Sequence, residues 1–262
     1  MGKKEKIGGR AYTNGVKLMN SKLSARAYYD KNDNLQVEVK RVKRWKFYSF
    51  FKHIPVLRGI ISIIMAIVIF LQESSKNPRK YWFVFLILIA DVIYLFLPAE
   101  STVSSIISLL YYFLPFLLLI IFWDIIKEVL KYHGAEHKTV NYYENNCQGD
   151  IASYSRLHRR CGSNVVFYYI IISLIMGFFV IDMNVLILEF LYLGLAYELM
   201  KYTPDRLRFV PFIFQRLVTK EPDKKHIKAA ERALEILIKN NKHNDLTKEL
   251  IYATTSNQES NL

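Results

Sequence analysis

Five apolar runs interrupt the chain, at 54–71, 81–98, 103–126, 165–181 and 185–200, and the intervals between them are polar or basic. Four of these, Tyr81–Pro98, Val103–Ile126, Val165–Ile181 and Val185–Met200, approach the roughly 20 apolar residues that a membrane-crossing helix needs. Arg58-Gly59 breaks the first run and leaves only Ile60–Leu71 continuous, which predicts a short re-entrant or interfacial helix. Ahead of it, Leu35–Val42 alternates apolar and polar, and with Leu23–Tyr29 it flanks the turn-rich Asp30–Asn34. That pattern predicts a β-hairpin in a small N-terminal domain, with Gly8, Gly9 and Gly15 at turns or close backbone approaches. Behind the runs, Phe212–Leu217 reads as a short amphipathic segment. Thr219–Asp223 reads as a helix start with Pro at an early position. Ile227, Ala230, Leu234, Leu237 and Ile238 then form one apolar stripe on a helix.

The predicted fold is a mainly α polytopic membrane protein. It has four transmembrane helices and one short re-entrant or interfacial helix. A β-containing domain at 1–53 precedes a membrane domain at 54–200, which encloses a central loop at 127–164. An amphipathic helical segment at 201–239 and a polar tail at 240–262 follow.

Charge sharpens this expectation. The 262 residues include 36 Lys and Arg against 23 Asp and Glu, a net charge of +13, yet 52% are hydrophobic. A soluble nucleic-acid binder shares the basicity without the apolar runs, so no nucleic-acid partner is expected. Lys and Arg are absent from Ala99–Thr102 and Asp182–Asn184, the short connections between paired runs. The positive-inside rule then places both termini and the 127–164 loop in the cytoplasm and the protein in the cell (plasma) membrane, among membrane lipids. No apolar core follows the basic N-terminus, so no cleaved signal peptide is expected. Asp91, Asp124, Glu189 and Glu198 fall within the runs, where an ionisable residue needs a partner or a wet cavity.

The candidate chemistry sits in the central loop. His133 and His137 are four apart and share a helix face, and Glu136 lies between them in the order His-x-x-Glu-His of an inverted zinc-peptidase motif. His158 and Cys161 bring a second ligand pair. Imidazole and thiolate together suit a divalent metal, zinc first. Glu198 is a further candidate ligand, and Glu136 the candidate general base. Arg156 and Arg160 are candidates to hold an anionic substrate group and to favour the Cys161 thiolate. Cys147 is the one other cysteine.

Several segments together resemble the YqhQ family of bacterial membrane proteins. They are Ile7–Ala11 with Gly15-Val16, Leu57-Arg58-Gly59, Tyr132–Lys138, Tyr154–His158, Arg160-Cys161-Gly162, Tyr197-Glu198-Leu199 and Gln215–Leu217 with Thr219 and Glu221-Pro222. The likeness spans about residues 7–238. It implies a protein of a domain family of unknown function, described as a predicted metal-dependent enzyme, and it supplies no substrate.

Two readings follow for function. One is a metal-dependent membrane enzyme, most simply a hydrolase working at the cytoplasmic membrane face. The other is a non-catalytic scaffold or assembly partner with a structural zinc, meeting a protein partner through its N-terminal domain. Transport, resting on Asp91 and Glu189, is weaker because no internal repeat is visible. The sequence leaves the oligomeric state open.

Overall fold

The computed structural model describes residues 5–42, 50–51, 53–76, 89, 102–179 and 184–242. The chain divides into two compact units, one built from 1–44, 125–163 and 206–262, the other from 45–124 and 164–205.

In the first unit, strands β1 (Gly8–Tyr12), β2 (Gly15–Met19), β3 (Leu23–Tyr29) and β4 (Leu35–Arg41) form an antiparallel sheet in the order β1-β2-β3-β4. The β3–β4 hairpin is the one expected from alternation, and its register sets Ala25 against Val39 and Ala27 against Val37. Its turn is held by the Asp30 carboxylate, which accepts the N–H groups of Asn32 and Asn34 at 2.9 Å. Asp33 there takes a positive φ of 59°, a conformation that Asp tolerates.

One face of the sheet is buried, through Val16, Leu18, Leu23, Ala25 and Ala27. Two helices supply the rest of that core: α3 (Trp123–Glu144) through Tyr132, Ala135 and Val140, and α7 (Lys224–Lys242) through Ala229, Ala230, Ala233, Leu234 and Leu237. The alanines on both sides keep the packed surfaces shallow, so helix and sheet can approach closely. A polar clamp joins α3 to the start of α7. His226 hydrogen-bonds Glu128 through Nε2 at 3.1 Å, accepts the Asp223 N–H at Nδ1, and stacks edge-on against Tyr132. Lys131 reaches Asp223 at 2.6 Å and Lys225 reaches Glu128 at 3.0 Å. Helix α6 (Phe209–Leu217) precedes α7 and buries Pro211 and Gln215.

The second unit holds α1 (Leu57–Lys76), α2 (Thr102–Ile121), most of α4 (Gly162–Met176) and α5 (Val185–Tyr202). Helices α1 and α5 pack together around an ion pair. Arg58 Nε donates to Glu198 Oε1 at 2.7 Å, a terminal nitrogen of Arg58 meets Glu198 Oε2, and the Val56 N–H adds 3.1 Å to Glu198 Oε1.

The polytopic expectation is corrected here. Among the described residues no helix is long and apolar enough to cross a membrane. The third expected span is a helix of only 15 residues, and the fourth carries Glu189, Glu198 and Lys201. Val103–Ile126 is not one helix either, because helix α2 ends at Ile121 and α3 begins at Trp123 with Asp124 in its first turn. The expected re-entrant piece is a 20-residue helix that Arg58-Gly59 does not interrupt, since Glu198 neutralises Arg58 inside it. Tyr81–Pro98, apart from Ile89, lies outside the described residues, as do Asp91 and the tail beyond Lys242.

Candidate metal centre

Residues 132–140 of α3 are buried almost without a break, apart from His133, which is half-buried. One face meets the sheet and α7. Across the other run the loop before α4 and the segment between α6 and α7. That crossing depends on Gly134: a Cβ there would collide with the Lys220 carbonyl, whose own N–H bonds the Leu130 carbonyl at 2.9 Å. The close approach brings the Val218 carbonyl to His133 Nδ1 at 2.8 Å. His137 is held in the same way from the other loop, its Nδ1 lying 2.6 Å from the Arg156 carbonyl.

A carbonyl accepts only, so each Nδ1 carries a proton and each Nε2 is the ring atom left for the cluster. The two rings meet edge to face with centroids 4.4 Å apart. Cys161, immediately before α4, completes the cluster with Sγ 3.4 Å from His133 Nε2. One nitrogen from each imidazole and this sulfur lie within 4.8 Å of one another, a group that could hold a metal ion. Carbonyl-anchored imidazoles plus a thiolate are the donor chemistry zinc accepts, and anchoring of the distal nitrogen is the usual outer support of such a ligand.

The electrostatics favour a deprotonated sulfur. Burial pushes the Cys161 thiol up, but hydrogen bonds and charge from His133 and His137 outweigh it and bring it down to about 4. Burial alone would lower His133, and its bond to Cys161 instead carries it up to about 9, which is the other half of the same proton shared within the pair.

Glu136 sits beside this cluster, its Oε2 3.7 Å from His137 Nε2 and 4.0 Å from His133 Nε2. Burial holds its carboxyl above the usual range, partly offset by the two imidazoles. Strand β1 closes over it. A Cβ on Gly9 would strike the Glu136 carboxylate, whereas one on Gly8 would meet nothing within 4 Å.

His158 and Glu198, the other two candidate ligands, are placed differently. His158 stacks at 5.7 Å from the His137 ring but turns its Nε2 toward Glu144, 3.5 Å away, and accepts the Arg160 N–H at Nδ1. Burial, then the charge of His137, lowers it to about 4, so it is neutral at physiological pH. Glu198 belongs to the second unit, with its carboxylate committed to Arg58 and Val56. Arg156 donates to the Thr219 carbonyl at 2.6 Å. Arg160 pairs with Glu144 and donates to the Ile7 carbonyl at 3.2 Å, while its buried Nε has no partner among the described residues. Glu144, Gln215 and the Val218 carbonyl are supports that sequence reasoning missed. Glu144 closes the same helix that carries His133 and His137, but a carboxylate seven residues beyond a motif gives no local signal. A carbonyl gives none at all.

A family model, "Protein of unknown function (DUF1385)", matches residues 11–240. The chain belongs to this family. The "Uncharacterized protein YqhQ" of Bacillus subtilis (strain 168) is 26% identical over 255 residues, covering 87% of this chain and 74% of the relative. No solved structure matches. Family membership agrees with the resemblance carried by the His-Gly-Ala-Glu-His and Arg-Cys-Gly segments, and it assigns no activity.

Proposed function

We propose that this protein is a metal-dependent hydrolase with a divalent ion, zinc first, held by His133, His137 and Cys161. The observation that carries the proposal is the pair of Nδ1–carbonyl bonds, which leave one nitrogen of each imidazole beside the Cys161 thiolate, next to a buried carboxylate. Three ligands with a neighbouring acid match a site with an open position better than a closed shell, and His158 is turned away to Glu144. When bound, zinc supplies Lewis acidity and brings the pKa of a water toward neutrality. Glu136, buried and inclined to hold a proton, is suited to take one from a nucleophile and return it to a leaving group. Gly9 and β1 limit water around it.

Metal analysis of the purified protein tests the site, and a panel of p-nitrophenyl esters, phosphate esters and fluorogenic peptides tests the reaction. His137→Ala and Cys161→Ser should lose the ion. Glu136→Gln should keep it and lose turnover. If the ion departs in Glu136→Gln as well, the carboxylate is a fourth ligand and the site is a structural clamp of a scaffold. Full metal content in both ligand variants would remove the site itself.

A further inference from the structure

Helix α6 carries a surface that the metal chemistry does not use. Phe209, Ile213 and Leu217 recur every fourth residue and are 62%, 59% and 70% exposed, while Pro211 and Gln215 on the opposite side are buried. The helix is thus seated by one face and presents an outward apolar stripe. Arg216 lies beside that stripe within the helix and Arg206 lies one turn ahead of it, both exposed.

We propose that α6 is a docking helix for an anionic lipid bilayer surface. Phe209, Ile213 and Leu217 would enter the headgroup–acyl boundary, and Arg206 and Arg216 would meet lipid phosphates. An amphipathic helix with basic residues along its apolar edge lies in the plane of an interface with its apolar face about 5–10 Å deep. The chain's net charge of +13 draws it to the same surface. A second copy of the chain is a poorer occupant. Three side chains on a nine-residue helix offer far less than the roughly 800 Å² per partner that a stable interface needs. Docking here also sets the level of the metal cluster, because Gln215 grips the backbone of His158 and Val218, the next residue after α6, holds His133. The helix that meets lipid would therefore be joined directly to the supports of two imidazoles.

The test uses the full chain with Ile213→Trp, read as the difference from the parent spectrum. Vesicles are pure phosphatidylcholine, or three parts phosphatidylcholine to one part phosphatidylglycerol, each with and without brominated acyl chains. With the anionic vesicles the added tryptophan should shift to the blue and be quenched by bromine. Adding Arg206→Gln and Arg216→Gln should weaken that quenching titration about fivefold per arginine, roughly 25-fold for both. Molar salt should reduce the parent's affinity toward that of the variant. Emission that stays unshifted and unquenched overturns the proposal, as does a titration that the arginine changes leave in place. A blue shift without vesicles that grows with protein concentration would assign the stripe to a second copy instead. Metal content is measured on the same samples, so loss of lipid contact and loss of the metal site are separate results.

Discussion

Gln215 grips His158 by its backbone on both sides. Its Oε1 accepts the His158 N–H at 2.8 Å and its Nε2 donates to the His158 carbonyl at 3.1 Å, a side chain standing in for a neighbouring strand. Gln215 is fully buried, so the peptide it serves has no access to water as a substitute. Replacing it by Leu fills the volume and leaves two buried backbone groups unmade. Each such group costs about 1–3 kcal/mol. Gln215→Leu should therefore lower stability by roughly 2–6 kcal/mol in urea denaturation. It should also weaken metal binding, because the loop that carries His158 continues into Cys161.

The two glycines of β1 give a sharper contrast. Gly9 lies against Glu136 and Gly8 faces open space. Gly9→Ala must push the strand or the carboxylate aside, an overpacking cost of about 1–3 kcal/mol. Gly8→Ala should be neutral within about 0.5 kcal/mol, as at ordinary surface positions. Thermal melts of both variants check this. Equal melting temperatures would mean that β1 does not press on Glu136.

Gly134→Ala tests how the histidines are aimed. The added methyl meets the Lys220 carbonyl and so moves the segment that supplies the Val218 carbonyl to His133. Loss of an outer hydrogen bond to a metal-binding imidazole lowers affinity by about 10–100-fold. Competition with a chromogenic chelator measures it. The helix itself should tolerate Ala, which has the higher helix propensity. A loss of affinity without loss of helical circular dichroism would locate the effect in the crossing segment.

The α3–α7 clamp predicts an acid-side weakness. Burial keeps His226 below its ordinary value despite Glu128, so the folded state resists its protonation. Between the unfolded value near 6.5 and its lower folded one, the unfolded chain binds more protons, and stability falls as pH falls. Glu128 is also lowered: burial would raise it, but its bonds to Lys225 and His226 prevail. Its contribution is present above the unfolded value near 4.3 and is lost as pH drops through the folded one. The two effects act in sequence and in the same direction. Urea midpoints between pH 7 and 4 should decline, and His226→Phe should flatten the decline above pH 5. The same slope in the variant would exclude His226 as its source.

Legibility from sequence differed by the range of the interaction. The β3–β4 hairpin could be read from Leu35–Val42 because alternation over a few residues is local. The α7 stripe could be read for the same reason, with Ala230, Leu234 and Leu237 buried as expected. His133 and His137 could be paired because four residues is one helical turn. Their partners could not, since the carbonyls of Val218 and Arg156 lie 85 and 19 residues away and leave no mark on residue type. The membrane reading failed where run length alone was the warrant. It assumed that apolar stretches continue as single helices, and Phe122 ends one while Glu189 and Glu198 charge another.

Glu198 separates a ligand from a clamp. Its side chain is 12% exposed and that of Arg58 11%, so each ion sits where water cannot replace the other. The guanidinium, through its bond to Glu198 and one to Tyr202, and the carboxylate, through Arg58 and the Val56 N–H, are each stabilised in the charged form. Removing one partner of a buried pair costs about 3–5 kcal/mol, because the other charge is stranded. Removing both for apolar residues of similar volume is often far milder. Arg58→Met should therefore destabilise strongly, and Arg58→Met with Glu198→Met should recover much of the loss, a coupling read from a double-mutant cycle in urea. Glu198→Gln should lower stability and leave metal stoichiometry at the wild-type level. Loss of the ion in folded Glu198→Gln would instead make Glu198 part of the metal centre and place its bond to Arg58 second.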